Sequence, residues 1–232
     1  MTSLPPIAVF DLDGTLAETA GDLVGTLNVL LRREGLPALP LEEAHDMIGA
    51  GAKALIQRGF AAAGEPISTE RLERLFDAFL EHYGAHLCDH SHLYDGLVEA
   101  LDRLQADGFL LAVCTNKVEE HAVDLLDRLG IGQRFAAICG RATFPFFKPD
   151  PRHITATIER AQGDPARAVM VGDSRSDVDA AKAAGIPVVA VTFGYTDTPV
   201  EELGPDRVIS HFSELAGAVE ALVPGRRARA AE

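Results

Sequence analysis

The sequence predicts an α/β protein in which an inserted all-helical cap covers a doubly wound, mostly parallel sheet. Three observations lead to this fold class. The stretch Ile7–Phe10 is short and wholly apolar, as in a strand that is buried on both faces. From residue 95 onward, strand-like runs alternate with helical patterns of about 10 to 15 residues, which favours right-handed crossovers between parallel strands. Residues 17–87 lie between these regions and show helical periodicity without a convincing strand.

The helical region begins with an amphipathic segment, Ala20–Arg33, in which leucines recur at helical spacing. Gly35 and Pro37 end this segment. The later helical segments begin near Leu41, cover residues 52–63, and run from a Ser68 cap to about Gly84. The cap is therefore predicted to be a small helical bundle.

The alternating region supplies the rest of the sheet and its crossover helices. Asp95 is predicted to cap the first of these helices, which ends at Gly108. The strands that follow are predicted at residues 109–114, 136–139, 168–171, 187–192 and 208–209. The helices between and after them are predicted at residues 118–129, 151–161, 177–184 and 213–222.

These elements predict a simple domain organisation. Residues 1–16 and 89–224 form a Rossmann-like α/β core, and residues 17–88 form the cap inserted after the first strand. Residues 225–232 are predicted to be a mobile tail. The sequence shows no internal repeat or low-complexity segment.

The overall charge restricts the class of partner. The chain has 35 acidic and 21 basic residues and a net charge of −14, which argues against nucleic acid or an anionic membrane as a partner. An anionic substrate would need a local cation, such as a metal ion or a lysine. No apolar run is long enough to span a membrane, and the first residues do not resemble a signal peptide. Three scattered cysteines indicate reduced thiols and a cytoplasmic protein.

Polar residues gather where the predicted strands end. Asp11 and Asp13 follow the first strand and lie on one side of the extended chain, while Gly14 allows a sharp turn. Thr115 and Asn116 follow a second strand. Asp173 follows a third strand, in G-D-S-R-S-D. Because the carboxyl ends of parallel strands form the ligand crevice of an open sheet, these side chains are expected to converge. For Asp11 and Asp13 alone, an Asx-rich turn that caps the strand is the alternative.

The order of four motifs gives a specific resemblance. The motifs D-L-D-G-T, C-T-N, K-P-D-P and G-D-S-R-S-D resemble those of the haloacid dehalogenase-like phosphohydrolases, in the same order and over nearly the whole chain. The resemblance implies a doubly wound core in which the first strand is central. The strands that carry Thr115 and Asp173 would flank it.

The resemblance also implies catalytic roles. Asp11 would be the nucleophile that forms an aspartyl phosphate, and Asp13 would protonate the leaving group and then activate water. Mg²⁺ would be held by the Asp11 carboxylate, the Asp13 backbone carbonyl and the Asp173 carboxylate.

Other residues would bind the phosphate. Thr115 and the backbone N–H groups around Asn116 would hold its oxygens, with a helix N-cap as the alternative role for Thr115. Lys148 would place a positive charge near the phosphate and Asp11. Asp177 would cap its helix and orient Lys148 or a metal-bound water.

The cap is expected to select the substrate. Gly49, Gly51 and Arg58, in I-G-A-G-A-K-A-L-I-Q-R-G, resemble the cap of phosphoglycolate phosphatases, as does Asn28 with the later G-L-P. Arg58 would pair with a substrate carboxylate, or instead form a salt bridge of the cap. Glu18-Thr19 and Tyr94-Asp95-Gly96 depart from the usual family pattern.

A cluster of metal-ligating residue types lies where the chain leaves the cap. It comprises His82, His86, Cys88, His90 and His92. A zinc or nickel site is conceivable because His82 and His86 have i, i+4 spacing. The pattern favours solvated hinge histidines, since no flanking residues fix a tetrahedral set of ligands.

The resulting hypothesis is a Mg²⁺-dependent phosphomonoesterase whose substrate is a small organic phosphate, with 2-phosphoglycolate as the leading candidate. It would be a monomer or a homodimer. The alternatives are a phosphatase of another small ester, a hexose-phosphate mutase and a non-catalytic phosphate-binding module. A dehalogenase is disfavoured because that chemistry needs neither Asp13 nor Mg²⁺.

Overall fold

The structure is a computed structural model that describes residues 4–49 and 51–223. The strands of this part of the chain are β1 (Ile7–Phe10), β2 (Ala17–Glu18), β3 (His92–Leu93), β4 (Leu110–Val118), β5 (Ala137–Arg141), β6 (Ala168–Gly172), β7 (Val188–Val191) and β8 (Arg207–Ile209). The α-helices are α1 (Ala20–Arg33), α2 (Leu41–Ala44), α3 (Ala52–Ala62), α4 (Thr69–Ala85), α5 (Leu97–Ala106), α6 (Glu119–Arg128), α7 (Pro151–Arg160), α8 (Arg175–Ala184) and α9 (Leu215–Leu222).

Six parallel strands form the main sheet, in the order β5-β4-β1-β6-β7-β8. Ile7 lies opposite Leu110 of β4 on one side and opposite Ala168 of β6 on the other. The structure therefore confirms that β1 is central and that the strands leading to Thr115 and Asp173 flank it. All four residues of β1 are buried, as expected of a strand that helices cover on both faces.

The two faces of β1 belong to two separate cores. Ala8 and Phe10 pack in the cluster that contains the buried side of α5, α6 and α9 and continues into the cap. Ile7 and Val9 pack in the other cluster, with α7 and α8. Helices thus cover both faces of the sheet, which confirms the doubly wound α/β class.

Helices α1 to α4 form the cap, and they pack around an apolar centre that includes Leu27, Phe60 and Phe79. A short antiparallel pair connects this region to the core: β2 before α1 pairs with β3 after α4, with Ala17 opposite Leu93. The expectation that residues 17–87 contain no strand is therefore wrong at Ala17–Glu18. Two residues are too few to show a strand period, and their partner lies beyond the whole cap.

The predicted cap at Asp95 is wrong, and so is the alternative role of Thr115 as a helix cap. Gly96, not Asp95, precedes α5, and its φ of 76° is a left-handed conformation that favours glycine. Thr115 does not cap α6, because β4 continues through it to Val118, which is the residue before that helix. The last helix begins at Leu215 rather than near residue 213, after a 3₁₀ turn at Phe212–Glu214.

Within the described residues, no helix is long and apolar enough to cross a membrane. The domain boundaries at residues 17 and 88 stay a prediction. The tail predicted at residues 225–232 lies outside the described residues.

Candidate active site

The site is built where β1, β4 and β6 end. The backbone N–H of Asp11 donates to the carbonyl of Val171, so the hydrogen bonding between β1 and β6 continues up to this aspartate. Asp173 follows β6 by one residue, and Thr115 lies in the last part of β4. The structure thus brings the predicted residues of three strands to one edge of the sheet, as the topology requires.

Lys148 lies between two of the carboxylates. Its Nζ is 2.9 Å from Oδ1 of Asp11 and 2.5 Å from Oδ1 of Asp177, and its side chain is fully buried. Burial lowers the pKa of Lys148, but the charges of Asp11 and then Asp177 outweigh this effect and raise it above the usual value. The ammonium therefore stays charged and balances part of the buried negative charge.

Asp177 contacts both the start of α8 and Lys148. The helix begins at Arg175 rather than at the predicted residue 177, and its N-cap is Ser174. Its Oδ2 accepts hydrogen bonds from the Ser174 backbone N–H at 3.0 Å and from the Ser174 hydroxyl at 2.6 Å, which completes a capping box at the start of α8. Its Oδ1 accepts from Lys148. Both carboxylate oxygens of Asp177 are therefore already engaged by protein donors.

Asp173 is held by two donors from different segments. Thr15 Oγ1 donates to Oδ1 at 2.8 Å, and the backbone N–H of Tyr195 donates to Oδ2 at 2.6 Å. Burial, and then the charges of Asp177 and Asp11, raise the pKa of Asp173 well above its usual range. This carboxylate is fixed in position and lies in an environment that strongly favours a neighbouring cation.

The cluster suits a hard divalent cation. Asp11, Asp173 and Asp177 each offer an oxygen within 4.8 Å of the others. Burial raises the pKa of Asp11 to about 6, although Lys148 opposes this effect. Oδ1 of Asp11 is buried and accepts no well-directed hydrogen bond from the described residues. One ammonium against three carboxylates leaves excess negative charge, which an oxygen-coordinated metal ion would neutralise.

A glycine makes room for this cluster. Gly14 has a φ of 81°, and a Cβ placed on it would lie 2.4 Å from Oδ2 of Asp173. Any side chain at this position would therefore both strain the turn and displace a carboxylate. This close approach of backbone and carboxylate explains the glycine of the D-L-D-G motif.

Asp13 is connected to the cap by a lysine that received no role from the sequence. Its Oδ1 accepts hydrogen bonds from Thr19 Oγ1 and from Lys117 Nζ, both at 2.8 Å. Lys117 also donates to the hydroxyl of Tyr83 in α4 at 2.6 Å. Burial lowers the pKa of Lys117, but Asp13 and Tyr83 raise it overall, so the lysine is charged.

Thr115 and Asn116 have local partners. Thr115 Oγ1 accepts a hydrogen bond from the Lys117 backbone N–H at 3.2 Å. The Asn116 side chain donates to the backbone carbonyl of Lys148 at 3.0 Å, so it fixes the segment that carries the lysine. Thr115 lines the cavity beside Asp11. Contact of these two residues with a phosphate stays a prediction.

A cavity separates the sheet edge from the cap. Asp11, Asp13 and Thr115 line its core side. Its cap side is largely apolar and includes Leu23, Leu55, Phe76, Phe79, Leu80 and Tyr83. A small polar reactant in this cavity would have the carboxylates on one side and a surface that excludes water on the other.

Arg58 lies beside a different cavity. Its Nη2 is 3.5 Å from Oδ2 of Asp197 in the core, so it forms an ion pair between cap and core. It lines a neighbouring depression with Asp197 and Ser174. The predicted contact of Arg58 with a substrate carboxylate stays a prediction. Asn28 exchanges two hydrogen bonds with the backbone of Leu39, which explains its occurrence with the G-L-P segment.

The histidines of the residue 82–92 segment have separate partners. The rings of His82 and His86 stack at 4.5 Å, and His86 Nδ1 is 2.7 Å from Oδ2 of Asp89. The backbone N–H of His90 donates to Asp22. Among the described residues, the group of three or more His, Cys, Asp or Glu side chains that could hold a metal ion is Asp11, Asp173 and Asp177. It does not include the histidines of this segment.

The sequence interpretation missed two residues that the structure places at the site, Lys117 and Tyr195. The hydroxyl of Tyr195 donates to Glu18 at 2.6 Å and accepts from the backbone N–H groups of Thr19 and Ala20. Tyr195 follows β7, whose carboxyl end lies at the same edge, and Lys117 directly follows Asn116 in β4. Their positions near the carboxyl ends of strands are the signal in the sequence, whereas their partners became evident only in the fold.

Comparisons with known proteins agree with this geometry. Residues 8–191 match the family model of the haloacid dehalogenase-like hydrolases. The chain is 49% identical to a phosphoglycolate phosphatase of Mesorhizobium japonicum over 90% of this chain and 92% of that protein. It is 47% identical to a phosphoglycolate phosphatase of Agrobacterium fabrum, over 94% and 95% of the two chains. The crystal structure of a predicted phosphoglycolate phosphatase from Haemophilus somnus superposes with a TM-score of 0.84 at 31% identity, over 94% and 99% of the two chains.

Proposed function

Because the chain belongs to the haloacid dehalogenase-like hydrolase family, we propose that it hydrolyses a small phosphate monoester, 2-phosphoglycolate, through an aspartyl phosphate on Asp11. The observation that carries this proposal is the buried cluster of Asp11, Asp173 and Lys148, in which Asp11 also lines a cavity covered by the cap. A phosphate and a carboxylate nucleophile repel each other, and this arrangement supplies the compensating positive charge.

The reaction has two steps that the residues of the chain would carry out. A carboxylate oxygen of Asp11 attacks phosphorus, and the bond from phosphorus to the ester oxygen breaks. Asp13 gives its proton to the departing oxygen, which releases the alcohol. Asp13 then takes a proton from the water that attacks the aspartyl phosphate, and phosphate leaves while Asp11 is regenerated. Thr115 and the N–H groups around Asn116 would bind the phosphate oxygens during both steps.

Mg²⁺ would be held by the carboxylates of Asp11 and Asp173 and by the backbone carbonyl of Asp13. When bound, it supplies positive charge next to the nucleophile and the phosphate. Asp177 would act from outside this set, because the Lys148 ammonium already pairs with it, whereas the donors to Asp173 are an uncharged hydroxyl and a backbone N–H.

The identity of the substrate is supported by the relatives and by the cavity. Proteins named phosphoglycolate phosphatase match this chain over most of their length. A cap that covers the cavity favours a small substrate and limits the access of bulk water. Arg58 is a candidate ligand for the substrate carboxylate, and this contact would require its ion pair with Asp197 to break.

We place the protein in the cytoplasm, as a monomer or a homodimer. The cellular assignment is supported by three free thiols, of which Cys114 and Cys139 are buried on neighbouring strands without forming a disulfide. Size-exclusion chromatography with light scattering would determine the number of chains.

The proposal is tested by measuring kcat/KM over a panel of small phosphomonoesters, with and without EDTA. Activity that requires Mg²⁺ and is highest for 2-phosphoglycolate is expected. Asp11→Asn should lower kcat by about 10⁴-fold or more while preserving the fold, because the amide keeps the shape of the carboxylate but is not a nucleophile. Asp102→Asn, on an exposed helix face, is the matched control. Substantial activity in Asp11→Asn would contradict the mechanism, and an isomeric phosphate as product would indicate a mutase instead.

A further inference from the structure

Within the described part of the chain, three cationic side chains line the cavity between cap and core. They are Lys53, Lys117 and Arg141. Lys53 is paired with both carboxylate oxygens of Glu73, at 2.7 and 2.5 Å. Lys117 is paired with Asp13. Two of these three cations therefore already have a carboxylate partner.

Arg141 differs from the two lysines. Among the described residues, no carboxylate lies within ion-pair distance of its guanidinium. The guanidinium instead stacks on the ring of Phe147, with Cζ 3.9 Å from the ring centroid. Stacking holds the plane of an arginine in place and leaves its N–H edges available for a bidentate anion. Burial lowers the pKa of Arg141, and arginine nevertheless stays charged.

The position of Arg141 places this charge at the boundary between the two layers. It is the last residue of β5, so it lies at the same sheet edge as Asp11 and Thr115. Its Nη1 is 3.9 Å from the point where a Cβ on Gly51 would be, and Gly51 directly precedes α3 of the cap. The guanidinium thus reaches from the core across the cavity to the cap.

We propose that Arg141 determines specificity by binding the carboxylate of the substrate while its phosphate lies at Asp11. This inference rests on the proposed function, since 2-phosphoglycolate carries a carboxylate one methylene group away from its ester oxygen. The nucleophile and the guanidinium line one cavity, and the proposal requires that a short ester with two anionic ends reaches both. Arg58 lines the neighbouring depression and is paired with Asp197.

The proposal also explains why the Arg141 charge lies on the core. Phe147 immediately precedes Lys148, so the stack on Phe147 ties the position of Arg141 to the segment that positions the lysine beside Asp11. The two ends of the substrate would then be held by neighbouring parts of one rigid layer. A cap movement would not alter the spacing between them.

The test compares two substrates that differ only at the relevant end: 2-phosphoglycolate and 2-hydroxyethyl phosphate, in which a hydroxymethyl group replaces the carboxylate. Arg141→Gln should lower kcat/KM for 2-phosphoglycolate by about 10- to 100-fold, the usual effect of losing a hydrogen-bonded charge partner. It should change kcat/KM for 2-hydroxyethyl phosphate by less than about threefold. Arg141→Lys should recover part of the loss, since it keeps the charge without the planar fork.

Two further measurements make the result specific. Inhibition by inorganic phosphate should be the same in Arg141→Gln and wild type, because phosphate would occupy only the Asp11 end. Arg128→Gln removes an exposed guanidinium on α6 that is paired with Asp124, and it should leave both substrates unaffected. Thermal unfolding of each variant shows that the fold is retained.

Several outcomes would overturn the inference. Equal losses for both substrates, or weaker inhibition by phosphate, would mean that Arg141 acts on the phosphate or on the fold. A selective loss in Arg58→Gln but not in Arg141→Gln would assign the carboxylate to the cap arginine. Wild-type protein without a preference for 2-phosphoglycolate would overturn the proposed substrate itself, and this inference with it.

Discussion

Removing the Lys148 ammonium is the most direct test of the electrostatics of the site. The variant Lys148→Met keeps an unbranched apolar stem but deletes a buried charge that lies 2.5 Å from Asp177 and 2.9 Å from Asp11. Three carboxylates with oxygens within 4.8 Å of one another would then have no cation from the protein between them. Breaking a buried ion pair by removing one partner typically costs about 3–5 kcal/mol of unfolding free energy. We expect a loss of that size at pH 8 in EDTA.

The loss of unfolding free energy should depend on pH, and the sign of this dependence follows from the pKa of Asp11. Burial already raises the pKa of Asp11 to about 6 in the folded protein, and Lys148 opposes the rise, so deleting the lysine raises this pKa further. A carboxyl whose pKa is raised by folding stabilises the protein below its unfolded-state pKa and loses that stabilisation as pH rises through the folded-state pKa. The variant can therefore take up protons at pH 5, and its deficit should be smaller there than at pH 8.

Urea denaturation in EDTA, followed by circular dichroism at both pH values, measures the effect. Lys182→Met is the matched control, because Lys182 lies on α8 and, within residues 4–49 and 51–223, donates only to the backbone carbonyl of Leu203. It should cost about 1 kcal/mol at either pH. If Lys148→Met stayed within about 1 kcal/mol of wild type at pH 8, or lost the same amount at both pH values, the view that this lysine balances the carboxylates would be wrong.

Three other changes address other parts of the molecule. Gly14→Ala should lower the unfolding free energy by about 2 kcal/mol or more and weaken Mg²⁺ binding measured by calorimetry, because its Cβ would strain a φ of 81° and displace Asp173; normal stability with normal binding would contradict this. His153 is buried and its pKa is lowered to about 4, chiefly by burial and then by Lys148, so stability is lost as pH falls from 6.5 toward 4. His153→Leu should remove about 2 kcal/mol of that loss between pH 7 and 4.5, and an unchanged slope in urea titrations would refute the assignment. Tyr83→Phe should lower the free energy of unfolding by about 1–3 kcal/mol, because it removes the hydroxyl that accepts from Lys117. An unchanged free energy of unfolding in urea denaturation would contradict this.

Residues whose roles follow from position along a strand could be predicted from the sequence. Asp11 and Asp173 come directly after apolar strands, and the parallel topology leaves one edge at which they can meet. Asp177 lies three residues after Ser174, so its capping role follows from local spacing alone. In each case the information lies within a few residues of the side chain.

The remaining features depend on contacts between distant segments. Lys117 is fixed by Tyr83 of the cap and Asp13 of the core, and neither is near it in sequence. No sequence motif identified Arg141 as a binding residue. Its environment is formed by the ring of Phe147 and by the approach of the cap at Gly51, which the fold brings together. The pairing of β2 with β3 was missed for the same reason, because a two-residue strand forms only when its distant partner is present.

Tyr195 has a mechanical consequence for the whole molecule. Its backbone holds Asp173, and its hydroxyl holds the chain at Thr19 where the cap begins, so one rigid aromatic ring spans the distance from a carboxylate of the site to the entrance of the cap. The ring acts as a spacer of constant length. A change further along the cap is therefore expected to leave the distance between Asp173 and the start of α1 unaltered.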